Sequence, residues 1–220
     1  MTPPHYDVVL LDLDGTIIDS EPGIQTALRH AITQGFGIAP TQADLDEFMG
    51  PPLDEVLPRV YGITDPADVA RFFDLYCEVY FHGTEYEFDV YPGMADLIRD
   101  LQAAGVRVVL ATAKPDESAA RILDHAGLAE CFEFVGGSHV DGSRQDKVDV
   151  LAHTLEQIGA NGDTLRIVLV GDRALDHRAA SAHGADSILV TWGYAPDGEL
   201  DEVPANALVH DVAALRALLI

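Results

Sequence analysis

Residues 7–12 read Asp-Val-Val-Leu-Leu-Asp: four consecutive apolar positions closed by a carboxylate, with a glycine at Gly15 just beyond. An apolar run this short and without alternation predicts a strand buried on both faces, as in a parallel sheet, with its C-terminal end at Asp12. Similar runs recur at 106–111, 166–170 and 187–191, with a weaker one at 132–135. Amphipathic helical segments separate them at 94–104, 116–126, 147–158 and 174–183, each stopped by a glycine: Gly105, Gly127, Gly159 and Gly184. Strand and helix alternate at the spacing of βαβ units, so the pattern predicts an α/β, doubly wound, Rossmann-like parallel sheet.

Residues 20–90 break the alternation. Ile24, Leu28, Ala31 and Ile32 mark one amphipathic helix; Thr41 opens a second that ends at Gly50; Asp65-Pro66 opens a third that runs to His82 and stops at Gly83. With no strand run among them, these segments predict an all-helical unit over 20–90, inserted between a core made of 1–19 and 91–220. Its hinges fall near 19–21 and 89–93. Gly50-Pro51-Pro52 reads as a stiff turn within the insert and as a candidate specificity loop.

Composition changes this picture only in part. A length of 220 residues suits one α/β core with one insert, and 48% apolar with 23% charged residues is ordinary for a globular chain. The opening residues carry no basic segment and no apolar stretch approaches membrane-spanning length, which points to a soluble protein without a secretory signal. Cys77 and Cys131 stand far apart without metal-ligand spacing, so a cytoplasmic setting is expected. A formal charge of −24 repels nucleic acid and anionic lipid, and neither is an expected partner. The same field repels an anionic substrate, so a phosphate site here needs a metal, helix N-termini and a few placed cations. Lys114 and Lys147 are the only lysines in the chain.

In open α/β sheets ligands bind beyond the C-terminal ends of the strands. Those ends carry Asp12-Leu13-Asp14-Gly15-Thr16, then Thr112, then Gly171-Asp172-Arg173 with Asp176 four residues after Asp172. Carboxylates converging from separate segments call for a hard cation, and oxygen ligands at this density favour magnesium. If strand geometry persists, the i, i+2 spacing sends Asp12 and Asp14 in the same direction. Asp12 can then attack phosphorus while Asp14 protonates the leaving alkoxide and later activates water. Gly15 lets the backbone approach the phosphate, and Thr112 and Lys147 offer a hydroxyl and a charge to its oxygens. By average residue usage a D-x-D-G-T string arises by chance in roughly two of a thousand chains of this length.

These residues in this order resemble the four motifs of the haloacid dehalogenase-like (HAD) hydrolases, and the resemblance spans nearly the whole chain. It implies Asp12 as nucleophile and Asp14 as acid/base, with the main-chain carbonyl of Asp14 joining Asp12 and Asp172 on magnesium. It also implies Asp176 behind the metal ligands, and Gly15, Thr112, Ala113 and Lys147 around the phosphate. The insert corresponds to the family's mobile cap. Gly50-Pro51-Pro52-Leu53, Tyr91-Pro92-Gly93, Ala111-Thr112-Ala113-Lys114-Pro115 and Trp192-Gly193-Tyr194 look like the phosphoglycolate phosphatase or 5'-nucleotidase branch. Ala113 stands where serine is usual, His177 where an aliphatic is usual and Ala179 where glycine is usual.

The expected activity is therefore magnesium-dependent hydrolysis of a small phosphorylated metabolite through an aspartyl phosphate. Gly50, Pro51 and Lys114 are the candidate specificity positions, and the chain is expected to be a monomer or weak dimer. A phosphosugar mutase of the β-phosphoglucomutase type would use the same nucleophile, and a non-catalytic phosphometabolite sensor the same scaffold. Trp192 and Tyr194 read either as loop residues packed on the sheet edge or as a platform for a substrate base. The histidines show no metal spacing.

Overall fold

The structure, a computed structural model, describes residues 5–51, 53–139, 144–160 and 165–220. The chain divides into two compact units, one comprising Met1–Asp19 and Val90–Ile220, the other Ser20–Asp89.

The first unit is built on a six-stranded sheet made of β1 (Val8–Leu11), β4 (Arg107–Pro115), β5 (Phe134–Ser138), β6 (Ile167–Gly171), β7 (Asp186–Val190) and β8 (Ala207–Val209). The order is β5-β4-β1-β6-β7-β8, and the neighbouring strands pair in parallel. This is the doubly wound order of a Rossmann-like sheet, with its switch point between β1 and β6. Val8 to Leu11 are all fully buried, so both faces of the central strand are covered. On one face Val8, Leu10, Val109 and Leu169 pack with Leu151 and Leu155 of α7 (Lys147–Gln157) and with Ala179 and Ala180 of α8 (Ala174–Ala182). The remaining helices of the unit are α5 (Met94–Ala103), α6 (Asp116–His125) and α9 (Val212–Leu219).

The doubly wound reading stands, with local differences. The strand expected at 132–135 lies at Phe134–Ser138, because a 3-10 turn at Ala129–Cys131 still holds Phe132 through its N–H on Ala129 O. β8 and α9 have no counterpart in the apolar pattern read above. β8 is a three-residue edge strand, and α9 is an eight-residue helix capped by Asp211, whose side chain accepts from Ala214 N.

The second unit contains α1 (Glu21–Phe36), α2 (Gln42–Asp46), α3 (Leu53–Tyr61) and α4 (Pro66–Tyr80). Gly37 ends α1 in the left-handed conformation that glycine adopts without strain, and Asp65 caps α4 through Ala67 N. Leu28, Ala31, Ile32, Leu45, Phe48, Val56, Leu57 and Phe72 form its core. The helix expected from Thr41 to Gly50 is only five residues long, since turns at Phe48 and Met49 replace the helical ladder. α3 is obscured in the sequence pattern by a proline. Pro58 sits inside it and removes one ladder hydrogen bond, a loss offset by burial of Val56 and Leu57. Two short strands, β2 (Ile18–Asp19) and β3 (Asp89–Val90), form a separate two-stranded sheet.

Candidate active site

The switch point of the sheet gathers a cluster of acids. Asp12 follows the last residue of β1, Asp172 follows the last residue of β6, and Asp176 lies in the first turn of α8. One carboxylate oxygen of each lies within 4.8 Å of the others. All three side chains are buried, Asp12 being 8% exposed and the other two 1%.

Strand geometry does not persist past Leu11. Asp14 instead makes an isolated bridge with Ile18, and Gly15 turns the chain at φ +76°. The turn needs glycine twice over, because a Cβ at Gly15 would lie 2.2 Å from Asp172 Oδ2. Gly171 is just as confined, since its Cβ would stand 2.0 Å from Asp176 Cγ. Two glycines thus let the carboxylates crowd together.

Lys147 opens α7, whose N-cap Asp146 accepts from Val148 N. Its buried ammonium lies 2.7 Å from Asp12 Oδ1 and 2.8 Å from Asp176 Oδ1. Burial alone would pull Lys147 down, but the two carboxylates outweigh it and hold the amine above its ordinary range. Lys114 leaves the end of β4 with only 8% of its side chain exposed and pairs with Asp14 Oδ2 at 3.3 Å. Both lysines of the chain therefore face these acids. β4 runs past the expected end at 111 to Pro115, so Thr112 is buried within the strand, its hydroxyl accepting from Lys114 N at 3.3 Å, while Ala113 is exposed. Gly50 and Pro51 belong to the second unit, between α2 and α3. Pro52 lies outside the described residues.

One ammonium cannot neutralise this group. Desolvation, opposed by Lys147 and reinforced by the neighbouring acids, pushes Asp12 up to about 6. Desolvation together with the charges of Asp12 and Asp176 pushes Asp172 up to about 8. Asp172 Oδ1 is buried with no hydrogen-bond partner among the described residues. An unpartnered carboxylate oxygen beside two further carboxylates fits a small hard cation. The carboxylate of Asp14 is not one of the three that converge; the resemblance assigns its main-chain carbonyl to the metal instead.

Arg173 N donates to Asp176 Oδ2 at 3.0 Å, which anchors that carboxylate on the start of its own helix. Glu199 accepts from Arg173 Nε and from Ala174 N, both at 2.8 Å. Sequence reasoning left Tyr194 undecided, yet its main-chain N–H donates to Asp172 Oδ2 at 2.7 Å. Its position just past β7 was the available signal.

The profile of the haloacid dehalogenase-like hydrolases matches residues 9–190. The chain belongs to that family. It is 38% identical over 210 residues to the tyrosine-protein kinase PtkA of Mycobacterium tuberculosis, covering 92% of this chain and 68% of that protein. It is 33% identical over 219 residues to a 5'-nucleotidase of Pseudomonas aeruginosa, covering 98% and 96%. A phosphoglycolate phosphatase of Cereibacter sphaeroides is 33% identical over 212 residues, covering 92% and 94%. The solved structure of PtkA superposes with a TM-score of 0.82 at 36% identity, covering 98% of this chain and 99% of that one. Among the described residues of this HAD hydrolase, no helix is long and apolar enough to cross a membrane.

Proposed function

We propose that this HAD hydrolase is a magnesium-dependent phosphomonoesterase that acts on a small phosphorylated metabolite through an aspartyl phosphate on Asp12. The observation that carries the reading is the buried cluster of Asp12, Asp172 and Asp176 held around Lys147 at the sheet's switch point. Similarity to a 5'-nucleotidase and a phosphoglycolate phosphatase supports the substrate class.

Asp12, Asp172 and the Asp14 carbonyl would hold the cation, with Asp176 behind them and next to Lys147. When bound, the cation neutralises the carboxylates and supplies positive charge to the phosphoryl oxygens. An Asp12 oxygen attacks phosphorus in line with the ester oxygen; the P–O bond to the alcohol breaks as Asp14 delivers its proton to the leaving oxygen. Asp14, now a carboxylate, takes a proton from water, which attacks phosphorus and returns Asp12 as its carboxylate. Lys147, Thr112 and the backbone at Gly15 and Ala113 stabilise the transferring group. The unit Ser20–Asp89 serves as a cap that selects the substrate, with Gly50, Pro51 and the core residue Lys114 as specificity positions.

The test is a panel of phosphoglycolate, nucleoside monophosphates, sugar phosphates and pyridoxal phosphate, with magnesium and with chelator. Magnesium-dependent release of inorganic phosphate from at least one ester is expected. Release that survives chelation overturns the metal requirement, and conversion of glucose 1-phosphate to the 6-phosphate would identify a mutase.

The similarity to PtkA favours one second reading, in which the phosphoryl group passes to a tyrosine hydroxyl instead of water. Incubation with labelled ATP and a tyrosine-containing polypeptide separates the two, since only a kinase moves label onto the phenol.

A further inference from the structure

We infer that Tyr194 is a positioning residue for the cation site, setting the Asp172 carboxylate through its main-chain N–H and held in place by its own hydroxyl on Asp19. This rests on the reading of Asp12, Asp172 and Asp176 as the cation site.

The two oxygens of Asp172 have different surroundings. Oδ2 accepts from Tyr194 N at 2.7 Å, whereas Oδ1 is buried without a hydrogen-bond partner among the described residues. The N–H therefore fixes the rotation of the carboxylate and leaves one oxygen for a cation.

A main-chain donor is only as well placed as the segment that carries it. Residues 192–194 leave the end of β7 and are fastened to the loop after β1 at several points. Trp192 Nε1 donates to Thr16 O at 3.2 Å, and the Tyr194 hydroxyl donates to Asp19 Oδ1 at 2.8 Å. The Tyr194 ring packs on Gly15, where an added Cβ would meet its Cδ2 at 2.9 Å. Between these anchors Gly193 passes so close that a Cβ would stand 2.3 Å from Gly15 O and 2.4 Å from Asp172 Cβ. Asp19 closes β2 and is the last residue of the first unit before the chain enters the second. The hydroxyl thus ties the segment carrying the donor to a strand that begins four residues after Asp14.

Loosening the tie leaves all three carboxylates in place but makes the cation order Asp172 on binding. Outer partners of this kind typically change metal affinity about 10-fold or more. Magnesium binding is measured by calorimetry on the full chain, at a temperature where circular dichroism shows each variant folded. Tyr194→Phe keeps the N–H and the ring and should weaken magnesium binding about 10-fold. Asp19→Ala should do the same, the double variant should be no weaker than either single one, and Asp19→Asn, which retains an acceptor oxygen, should stay within about twofold of wild type. A part played only in folding would lower the melting temperature without this shared, non-additive loss of affinity. If wild type binds magnesium, Asp172→Asn does not, and Tyr194→Phe or Asp19→Ala binds as wild type does, the inference fails while the site reading survives. Additive losses in the double variant overturn it as well. If Tyr194→Phe does not fold, the two Asp19 variants decide. If wild type shows no magnesium binding, or Asp172→Asn binds unchanged, the site reading itself falls.

Discussion

Lys147 Nζ bridges Asp12 Oδ1 and Asp176 Oδ1 at 2.7 and 2.8 Å, so a single buried ammonium ties the end of β1 to the first turn of α8. Among the described residues its charge offsets Asp12 directly, and its own burial is tolerable because both carboxylates surround it.

Replacing Lys147 with methionine keeps the apolar stem and removes the charge. Breaking a buried pair typically costs about 3–5 kcal/mol. The loss should be largest near pH 8, where the acids are most ionised, and smaller at pH 5. Thermal unfolding of the metal-free protein at the two pH values measures it, and an equal loss at both would argue against a charge origin.

Asp12→Asn should abolish turnover while leaving the fold intact, because the amide is a poor nucleophile and a poor metal ligand. A variant that keeps about a tenth of the wild-type rate would falsify the nucleophile assignment. Asp14→Asn should still capture phosphate from an activated ester with a good leaving group, then fail to hydrolyse the acyl phosphate. Mass spectrometry after mixing should find a phosphorylated chain that persists, and equal survival of both steps would remove Asp14 from the acid/base role.

Burial, reinforced by neighbouring carboxylates, pushes Asp12 up to about 6 and Asp172 up to about 8 in the folded protein, from an unfolded aspartate value of about 3.9. Between these values the folded state holds more protons than the unfolded one. The stability these groups contribute is thus full below about pH 4 and is lost as pH rises through 6 and 8. Glu133 and Glu199, lowered chiefly by Arg107 in the first case and by Arg173 against an opposing burial in the second, act the other way, but only as pH falls below the ordinary glutamate range. Metal-free melting temperatures should therefore decline from pH 5 to pH 8.5. Magnesium should recover that loss and release protons on binding, visible as a buffer-dependent heat in calorimetry. A melting temperature that rises over this window without metal would contradict the account.

Gly50, at φ +102°, and Pro51 precede α3 in the second unit. Exchanging Pro51 and Pro52 for glycine leaves the acids of the sheet untouched and loosens only this turn. The order of preferred substrates should shift much more than the rate on a small aryl phosphate falls. A uniform loss across the substrate panel, with ranking preserved, would assign the turn to folding instead of selection.

Much of this protein is legible in its sequence because local rules write it there. Continuous apolar runs, glycine stops and helix caps identify β1, β4, β6, β7 and the helices between them, and they place Asp12 and Asp172 at strand ends, whereas Thr112 lies inside β4, which runs on to Pro115. Elements escaped where the local signal was short or contradicted: β8 has three residues, and α3 carries Pro58.

The sequence by itself thus determined the doubly wound core, the run of helices within it and which polar residues stand at strand ends, since each depends on neighbours a few positions away. Only the tertiary structure decided which of those residues meet. Lys147 reaches Asp12, Lys114 reaches Asp14 and Tyr194 N–H reaches Asp172 across long stretches of chain. Those meetings follow from the strand order β5-β4-β1-β6-β7-β8, which sets β1 beside β6, and from glycines at 15, 171 and 193 that let three loops approach within van der Waals contact. Side-chain convergence of this kind is a property of packing between distant segments, and periodicity along one segment carries no term for it.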